Sequence, residues 1–443
     1  MVSRRAGTPP RPYRIRARVL DALSFADVAR ELERTDSDPE GVAIMTQKAR
    51  VFLVRVDRVP LKAAPLLKQE MIAVGGDSAH ARGVASLTVD SSSVVTLGTM
   101  SQYRRAGPKL RRQPFQLHGI AEAIDSAIRN VTQRRSRKLP ALHRAFTIGD
   151  RPRVMGVVNV TPDSFSDGGR FAEPASAVTR ALRLESEGAS VIDVGAESTR
   201  PGATAIPPRE EWRRLAPVLT ALNERLKVPL SIDTRHASVA RQALAGGADM
   251  VNDVSGLVSA EMRRVIARTG APVVVMHMRG TPVTMASRRV YSDLRQEVFD
   301  ELGDRVDRAL GSGVAPDQIL IDPGLGFAKD AAQSLELLRH VGEFRSLGFP
   351  VVVGASRKSF LGRVLGEAPV EEREEASLAA AVVAALQGIE LVRAHEVAST
   401  VKALRVVEAL SSSPAPRTLR GRSRQPGRTT DAGTSSSRTS EPT

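Results

Sequence analysis

Polar residues, most of them acidic, amide or basic, stand at or just after the ends of eight short apolar runs between residues 153 and 411. They are Asn159, Asp193, Asp233, Asn252 with Asp253, His277, Asp322, the segment Ser356–Lys358, and Arg393 with His395. Any one of them has an ordinary explanation as a helix cap or an Asx turn. Eight in the same position are harder to explain in that way, because desolvating so many polar groups is costly unless a ligand binds them. The pattern therefore indicates a polar binding site.

The types of these residues indicate what such a site would bind. Asp233, Asn252 and Asp322 carry carboxylates or an amide, which can pair with the ring N–H and amino groups of a flat heterocycle. Positive side chains that suit phosphate oxygens follow the last two runs. They are Arg357, Lys358, Arg393 and His395. The sequence therefore predicts an acidic and amide-lined flank beside a cationic one.

Two loops near these residues, Thr161–Arg170 and Ser198–Pro208, are rich in Ser, Gly and Pro. Asn159 and the acidic loop Asp163–Asp167 offer the hard oxygen ligands of Mg²⁺, a cation that takes few protein ligands and is shared with a diphosphate. Loops of this composition also occur as tolerant surface connections. As lids, they would exclude water and complete the site of a second substrate.

Eight strands separated by helices would position these residues. The apolar runs are Val154–Val158, Val191–Val194, Leu230–Ile232, Met250–Val251, Val273–Met276, Ile319–Ile321, Val351–Val353 and Glu390–Val392. Eight such units over residues 153–411 are close to the roughly 250 residues of a (β/α)₈ TIM barrel, in which all strand ends open onto one rim. The alternative is an open doubly wound sheet. That fold would more often show a GxGxxG turn after its first strand, and none is present.

A small α/β module over residues 12–133 is predicted to precede the barrel. Its predicted strands are Val42–Met45, Val51–Val56, Val84–Val89 and Val94–Thr99, and its predicted helices are Pro65–Val74 and Ile120–Val131. Residues 134–152 are predicted to be a linker. Residues 1–11 and the basic tail 412–443 have almost no large apolar side chains, so we expect both termini to be disordered.

Composition excludes several classes of function. The chain has no cysteine, which excludes disulfides, a thiolate nucleophile and cysteine-ligated zinc. Its formal net charge is +15, with the excess concentrated in residues 1–18, 104–138 and 412–443. No nucleic-acid-reading motif accompanies that charge, so we expect no specific nucleic-acid partner. No apolar run reaches the roughly 18 residues of a membrane helix, and the N-terminal residues lack the apolar segment of a secretory signal. We therefore expect a cytoplasmic protein without a membrane partner.

Seven segments resemble signatures of the dihydropteroate synthase family. They are MGVVNVTPDSFSDGG (155–169), IDVGAESTRPGA (192–203), SIDT (231–234) with VNDVSG (251–256), MHMRGTP (276–282), DPGLGF (322–327), GASRKSFLG (354–362) and VRAHEV (392–397). They occur in order across residues 153–411. The chain departs from the family pattern at Glu396, where Asp is common, and at Ala328, where Gly often precedes Lys329.

The resemblance implies an enzyme that joins 6-hydroxymethyl-7,8-dihydropterin diphosphate to 4-aminobenzoate, with Mg²⁺ as cofactor and a homodimeric assembly. Residues implied to hold the pterin are Asp233, Asn252, Met276, Asp322, Phe327 and Lys358. Residues implied for the diphosphate and Mg²⁺ are Asn159, Asp233, Arg393 and His395, with Asn159 as the metal ligand. Residues implied for 4-aminobenzoate are Phe165, Thr199, Arg200, Pro201 and Ser356. The implied catalytic residues are Asp233, Lys358, Arg393 and His395.

Two other functions are compatible with parts of this pattern. A folate-dependent methyltransferase barrel shares the pterin-binding acids and amides, but it would not need the Ser356–Lys358 element or a diphosphate cradle. A pterin-binding paralogue without catalysis would have loops that no longer close.

Overall fold

The computed structural model describes residues 17–20, 24–133, 136–140, 142–160, 172–198 and 205–411. The predicted disordered segments 1–11 and 412–443 lie outside the described residues. So do the loop 161–170 and residues 199–204 of the second loop.

The N-terminal residues form a mixed α/β unit. Its elements are α1 (Phe25–Glu33), α2 (Pro39–Thr46), β1 (Val51–Pro60), α3 (Ala63–Ala73), β2 (Asp77–His80), α4 (Arg82–Ala85), β3 (Ser91–Thr99), α5 (Met100–Leu110) and α6 (Leu117–Thr132). Strand β3 lies between β1 and β2 and pairs antiparallel with both. The unit has a core of its own, in which Leu67, Tyr103 and Ile124 are almost fully buried. The strand predicted at 51–56 and the helix predicted at 120–131 are confirmed.

Two strands predicted in this unit are wrong. Residues Val42–Met45 belong to helix α2, which begins with Asp38 as its N-cap and Pro39 in the first turn. That pair is a helix-start signal, and it outweighs a run of only four apolar residues. Residues 84–89 contain the end of the short helix α4 and a turn in which Leu87 has a φ of 58°. Strand β3 therefore pairs with β1 and not with residues 84–89.

Eight parallel strands form the barrel, as predicted. After the short strands β4 (Arg137–Leu139) and β5 (Phe146–Ile148), they are β6 (Arg153–Asn159), β7 (Val191–Gly195), β8 (Leu230–Asp233), β9 (Met250–Asp253), β10 (Val273–Met276), β11 (Ile319–Asp322), β12 (Val352–Val353) and β13 (Leu391–Ala394). Each pairs in parallel with its neighbour, and β13 pairs with β6. A parallel bridge from Ile321 to Val351 closes the ring. Strands covered on both faces are continuously apolar, and Val273–Met276 is buried throughout.

Helices connect successive strands on the outside of the barrel. They are α7 (Ala172–Ser186), α8 (Pro208–Asn223), α9 (Ala237–Ala245), α10 (Ala260–Thr269), α11 (Leu294–Gly311), α12 (Ala331–Arg339), α13 (Ser359–Val364), α14 (Glu374–Leu386) and α15 (Val397–Ser411). Capping residues set their ends; for example, the Ser259 side chain accepts from Met262 N, and Gly270 ends α10 with a φ of 72°. Within the described ranges, no helix is both long and apolar enough to cross a membrane.

A β-hairpin covers the end of the barrel opposite the carboxyl ends of its strands. Strands β4 and β5 pair antiparallel within the segment 134–152. Leu139, Phe146 and Ile148 are buried against residues at the starts of the barrel strands, including Met155 and Leu391. The hairpin therefore places apolar side chains over one end of the barrel and leaves the opposite rim to polar ones.

Candidate active site

A hydrogen-bonded network around Asp193 occupies the middle of the polar rim. The Asp193 side chain is fully buried. Its Oδ2 accepts from Arg393 Nε at 2.7 Å and from Asn252 Nδ2 at 3.0 Å, and its Oδ1 accepts from Ser231 Oγ at 2.6 Å. Asp193 thus fixes the orientation of one predicted cation and one predicted amide. The sequence predicted Asp193 at a strand end, which is wrong, because it lies in the middle of β7 (Val191–Gly195). No role could be predicted for it, because a partner 200 residues away gives no local signal.

Arg393 joins that network to a second carboxylate. Its Nη2 donates to Asp233 Oδ2 at 2.8 Å, so the guanidinium bridges two acids from neighbouring strands. Burial raises the pKa of Asp233, and the Arg393 guanidinium opposes that rise. Three residues predicted to share a site, Asp233, Asn252 and Arg393, therefore lie together.

A second group surrounds Asp322 and Lys358. Lys358 Nζ donates to Leu325 O and lies 4.5 Å from the centroid of the Phe327 ring. Burial lowers the pKa of Lys358 to about 8, although the Asp322 carboxylate opposes the change. Asp322 accepts from Gly324 N at 2.7 Å, and Met276 lies beside it in the register of β10 and β11.

Gly354 lies close to both the Arg393 group and the Lys358 group. A Cβ atom added there would lie 3.7 Å from Arg393 Cβ and 4.0 Å from Lys358 Nζ. The two cations therefore stand on either side of a residue without a side chain. Burial also raises the pKa of Asp322, and the charges that oppose this rise come from Lys358, Lys329 and Arg393. The acidic and amide residues and the cations thus share one rim, as predicted.

Ser356 and His395 form the third part of the rim. Ser356 Oγ lies 3.0 Å from His395 Nδ1 and donates to Glu396 Oε2 at 3.2 Å. Glu396 also accepts from Arg357 Nε at 2.6 Å, and Arg357 has a φ of 59°. The longer side chain at 396 therefore reaches the element that carries Ser356.

His277 and Lys329 are internal supports below the rim. His277 is fully buried, with Nε2 3.0 Å from Glu301 Oε2 and Nδ1 2.9 Å from Lys329 Nζ. Lys329 donates to Gly324 O at 3.1 Å and to Phe327 O at 2.9 Å, which holds the turn after β11. Burial lowers the pKa of His277 to about 3, and the nearby Lys329 adds to the effect. Sequence reasoning missed this role of Lys329, because its partners are defined only by the fold.

Ala328 adopts a left-handed conformation in the same turn, with a φ of 51°. A non-glycine residue pays roughly 1–2 kcal/mol for this conformation, which glycine adopts freely. The departure noted at this position therefore adds backbone strain to the turn that precedes Lys329.

The described residues offer two places for a metal. Asn159 ends β6 with an exposed side chain, and its register partner on β7 is Gly195. Glu197, Glu211 and His236 bring two carboxylates and an imidazole together. The remaining predicted residues Phe165, Thr199, Arg200 and Pro201, and the loop Asp163–Asp167, lie outside the described residues.

Comparisons with known proteins identify the family and the fold. The family described as pterin binding enzyme matches residues 155–395. A dihydropteroate synthase from Synechocystis is 45% identical over 273 residues, covering 61% of this chain and 94% of that protein. A solved structure of Xanthomonas albilineans dihydropteroate synthase with 4-aminobenzoic acid has a TM-score of 0.60 and 44% identity, covering 63% of this chain and all of that chain.

A longer relative matches more of the sequence. A probable bifunctional folylpolyglutamate synthase/dihydropteroate synthase from Halobacterium salinarum is 41% identical over 392 residues. The match covers 88% of this chain, which spans only 46% of that relative. Because the match is longer than the barrel segment 153–411, it also includes residues outside the barrel.

Proposed function

The chain belongs to the pterin binding enzyme family, and on that premise we propose that it is a dihydropteroate synthase. It condenses 6-hydroxymethyl-7,8-dihydropterin diphosphate with 4-aminobenzoate to give 7,8-dihydropteroate and diphosphate. The observation that carries the proposal is the shared rim, where Asp193, Asp233 and Asn252 meet Arg393, and Asp322 meets Lys358.

Each flank of the rim suits one half of the first substrate. Asp322 and Asn252 present groups that can pair with the polar edge of the pterin ring, and Met276 and Phe327 supply apolar surface. Lys358, Arg393 and His395 place positive charge or N–H donors beside the diphosphate. Arg393 is held by two carboxylates, so little reorganisation is needed when a ligand arrives.

The chemistry breaks the bond from the pterin methylene carbon to the diphosphate oxygen and forms a bond from that carbon to the amine nitrogen. The bonding electrons leave with diphosphate, and the cationic residues stabilise the charge that develops there. The amine of 4-aminobenzoate is neutral near pH 7, so it attacks without a strong base and loses a proton afterwards. His395 therefore needs no general-base role.

The residues also fit Mg²⁺. Asn159 offers an exposed amide oxygen at the rim, which suits a cation that takes one or two protein ligands and completes its shell with water and phosphate oxygens. When bound, Mg²⁺ would neutralise charge on the leaving diphosphate. Asp233 lies on the same rim and is the second candidate to face the diphosphate and the ion.

Dihydropteroate formation tests the proposal directly. The purified chain should release diphosphate only when the pterin diphosphate and 4-aminobenzoate are both present, and dihydropteroate should appear in equal amount. Diphosphate release without 4-aminobenzoate dependence, or methyl transfer that needs a corrinoid, would contradict it.

Asp322→Ala provides a residue-level test of the same site. It should weaken binding of 6-hydroxymethylpterin at least about tenfold in calorimetry, because it leaves buried ring donors without an acceptor. Asp307→Ala, an exposed acid on α11, is the control and should bind like the unchanged chain. Equal pterin affinity in both variants would remove Asp322 from the site.

A further inference from the structure

Two carboxylates and an imidazole form a largely buried cluster beside the proposed pterin pocket. Glu197 follows β7, Glu211 lies in the first turn of α8, and His236 immediately precedes α9. His236 Nε2 lies 4.0 Å from Glu197 Oε2 and 3.9 Å from Glu211 Oε2. One ligand atom from each residue lies within 4.8 Å of the other two. Three segments that are distant in sequence therefore converge on one point.

The bonding of Glu211 is incomplete. Its side chain is 0% exposed, and neither carboxylate oxygen has a partner with good hydrogen-bond geometry among the described residues, although the Thr234 hydroxyl is near enough to favour its ionised form. The buried Nε2 atom of His236 likewise has no such partner within the described ranges. An ionised carboxylate is expensive to bury, and burial together with the neighbouring Glu197 charge raises the pKa of Glu211 to about 7, so either a proton or a cation must neutralise it. A single group that accepts electron pairs from both the Glu211 carboxylate and His236 Nε2 would satisfy these atoms.

We propose that Glu197, Glu211 and His236 bind a divalent transition-metal ion such as Zn²⁺. Zinc takes carboxylate oxygens and imidazole nitrogens at about 2.0–2.2 Å, which places ligand atoms about 3.4 Å apart in a tetrahedral site. The two separations that involve His236, 3.9 and 4.0 Å, must contract by about 0.5 Å to reach that value, and the Glu197–Glu211 separation lies within 4.8 Å. Three protein ligands leave a fourth position for water or another small ligand.

This site differs in charge and in ligand type from the Mg²⁺ site expected at Asn159. Glu197 is also paired with Arg235, at 2.9 and 2.8 Å, so a divalent ion would meet two carboxylates and one guanidinium charge. An imidazole and two carboxylates suit zinc, whereas Mg²⁺ prefers oxygen ligands and shared phosphate. Glu197 also accepts a hydrogen bond from Ile206 N at 3.3 Å. An ion bound to Glu197 would therefore connect the segment before α8 to the segments that follow β7 and β8. It would be a positioning ion that touches no reacting atom.

Zinc binding without substrates tests the proposal. The full chain is stripped with a chelator, desalted and titrated with Zn²⁺ by calorimetry, and the loaded protein is analysed for metal content. We expect one Zn²⁺ per chain. Glu211→Gln and His236→Gln should each weaken binding at least about tenfold, because each removes a direct ligand and even indirect supports of metal sites cost 10–100-fold. Co²⁺ in place of Zn²⁺ should give visible absorption bands that both variants lose.

His118→Gln is the matched control. His118 Nε2 lies 3.2 Å from Glu122, and both side chains are exposed, so the pair offers surface ligands to a loosely bound metal. This variant should bind Zn²⁺ like the unchanged chain. His236 is only partly buried, so His236→Gln keeps the test valid if Glu211→Gln fails to fold.

A stripped chain that binds no Zn²⁺ would overturn the proposal and would mean that a proton satisfies Glu211. Equal binding by His236→Gln and the unchanged chain would overturn it as well. Neither result contradicts the proposed dihydropteroate synthesis, because that reaction is measured separately on the unchanged chain and the three ligands are not among the residues proposed for it.

Discussion

Residues with two partners determine the chemistry of the rim. Arg393 is held by Asp193 and Asp233, and Lys358 donates to Leu325 O and lies 4.5 Å from the centroid of the Phe327 ring. Protein partners hold these side chains in defined positions. A site arranged in this way stabilises developing charge with little reorganisation.

Lys358 should set the alkaline limit of activity. Burial lowers its pKa to about 8, so the amine loses its proton as the pH rises through that value, and the positive charge beside the substrate is lost. The rate constant kcat/KM for the pterin diphosphate should therefore fall above about pH 8. Lys358→Arg keeps its charge to about pH 12, so its lower activity should persist to higher pH.

Lys402→Arg is the control for that measurement. Lys402 is exposed on α15, and its replacement should leave the pH profile unchanged. An alkaline limb at the same pH in Lys358→Arg and in the unchanged chain would show that another group sets the limit.

Much of the rim could be predicted at the residue scale, because the polar residue at the end of each apolar run is a local signal. Asp322, Asn252 and Arg393 were identified in that way. Lys329 and Glu211 were not, since nothing near them in sequence reveals that they become buried. Their functions depend on partners that only the fold brings close, such as His277 and His236.

The barrel strands could be predicted closely from the sequence. A parallel strand covered on both faces must be continuously apolar, so the runs at 154–158, 191–194 and 273–276 mark strands to within a residue or two. The hairpin at 137–148 could not be predicted from the sequence, because β4 and β5 have three residues each and β4 begins with Arg137 and Lys138. Its burial comes from contact with the barrel and not from its own pattern.

The hairpin should matter for stability and not for substrate binding. Phe146 is buried against the starts of the barrel strands, so Phe146→Ala should lower the free energy of unfolding by about 3–5 kcal/mol. The KM values for both substrates should stay unchanged, because the hairpin lies at the end of the barrel opposite the polar rim. Urea unfolding and steady-state kinetics measure the two effects.

Phe115→Ala is the matched aromatic control, since Phe115 is 45% exposed. Its replacement should cost about 1 kcal/mol or less. A Phe146→Ala variant as stable as Phe115→Ala, or one with a raised KM, would contradict the role given to the hairpin.

The whole molecule combines a barrel with an N-terminal unit that contacts both helix α11 and the segment before β12, and Arg55 Nη1 donates to Asp293 Oδ2, at the N-cap of α11, at 2.7 Å. Asn130 Nδ2 donates to Ser346 O at 3.1 Å, and Arg345 Nη1 donates to Val131 O at 3.0 Å. The Halobacterium relative matches residues outside the barrel, so that unit is not peculiar to this chain. We propose that the N-terminal unit spans residues 12–133 and the barrel residues 153–411. The predicted homodimer stays a prediction.

The central claim is that the eight strand ends build one pocket for both halves of a pterin diphosphate. A crystal structure of the chain with 6-hydroxymethylpterin and diphosphate bound together measures this directly. We expect the pterin ring against Asp322 and Asn252, and the diphosphate beside Arg393 and His395, within a single opening. Pterin and diphosphate in separate openings, or a pterin without contact to Asp322, would contradict the account.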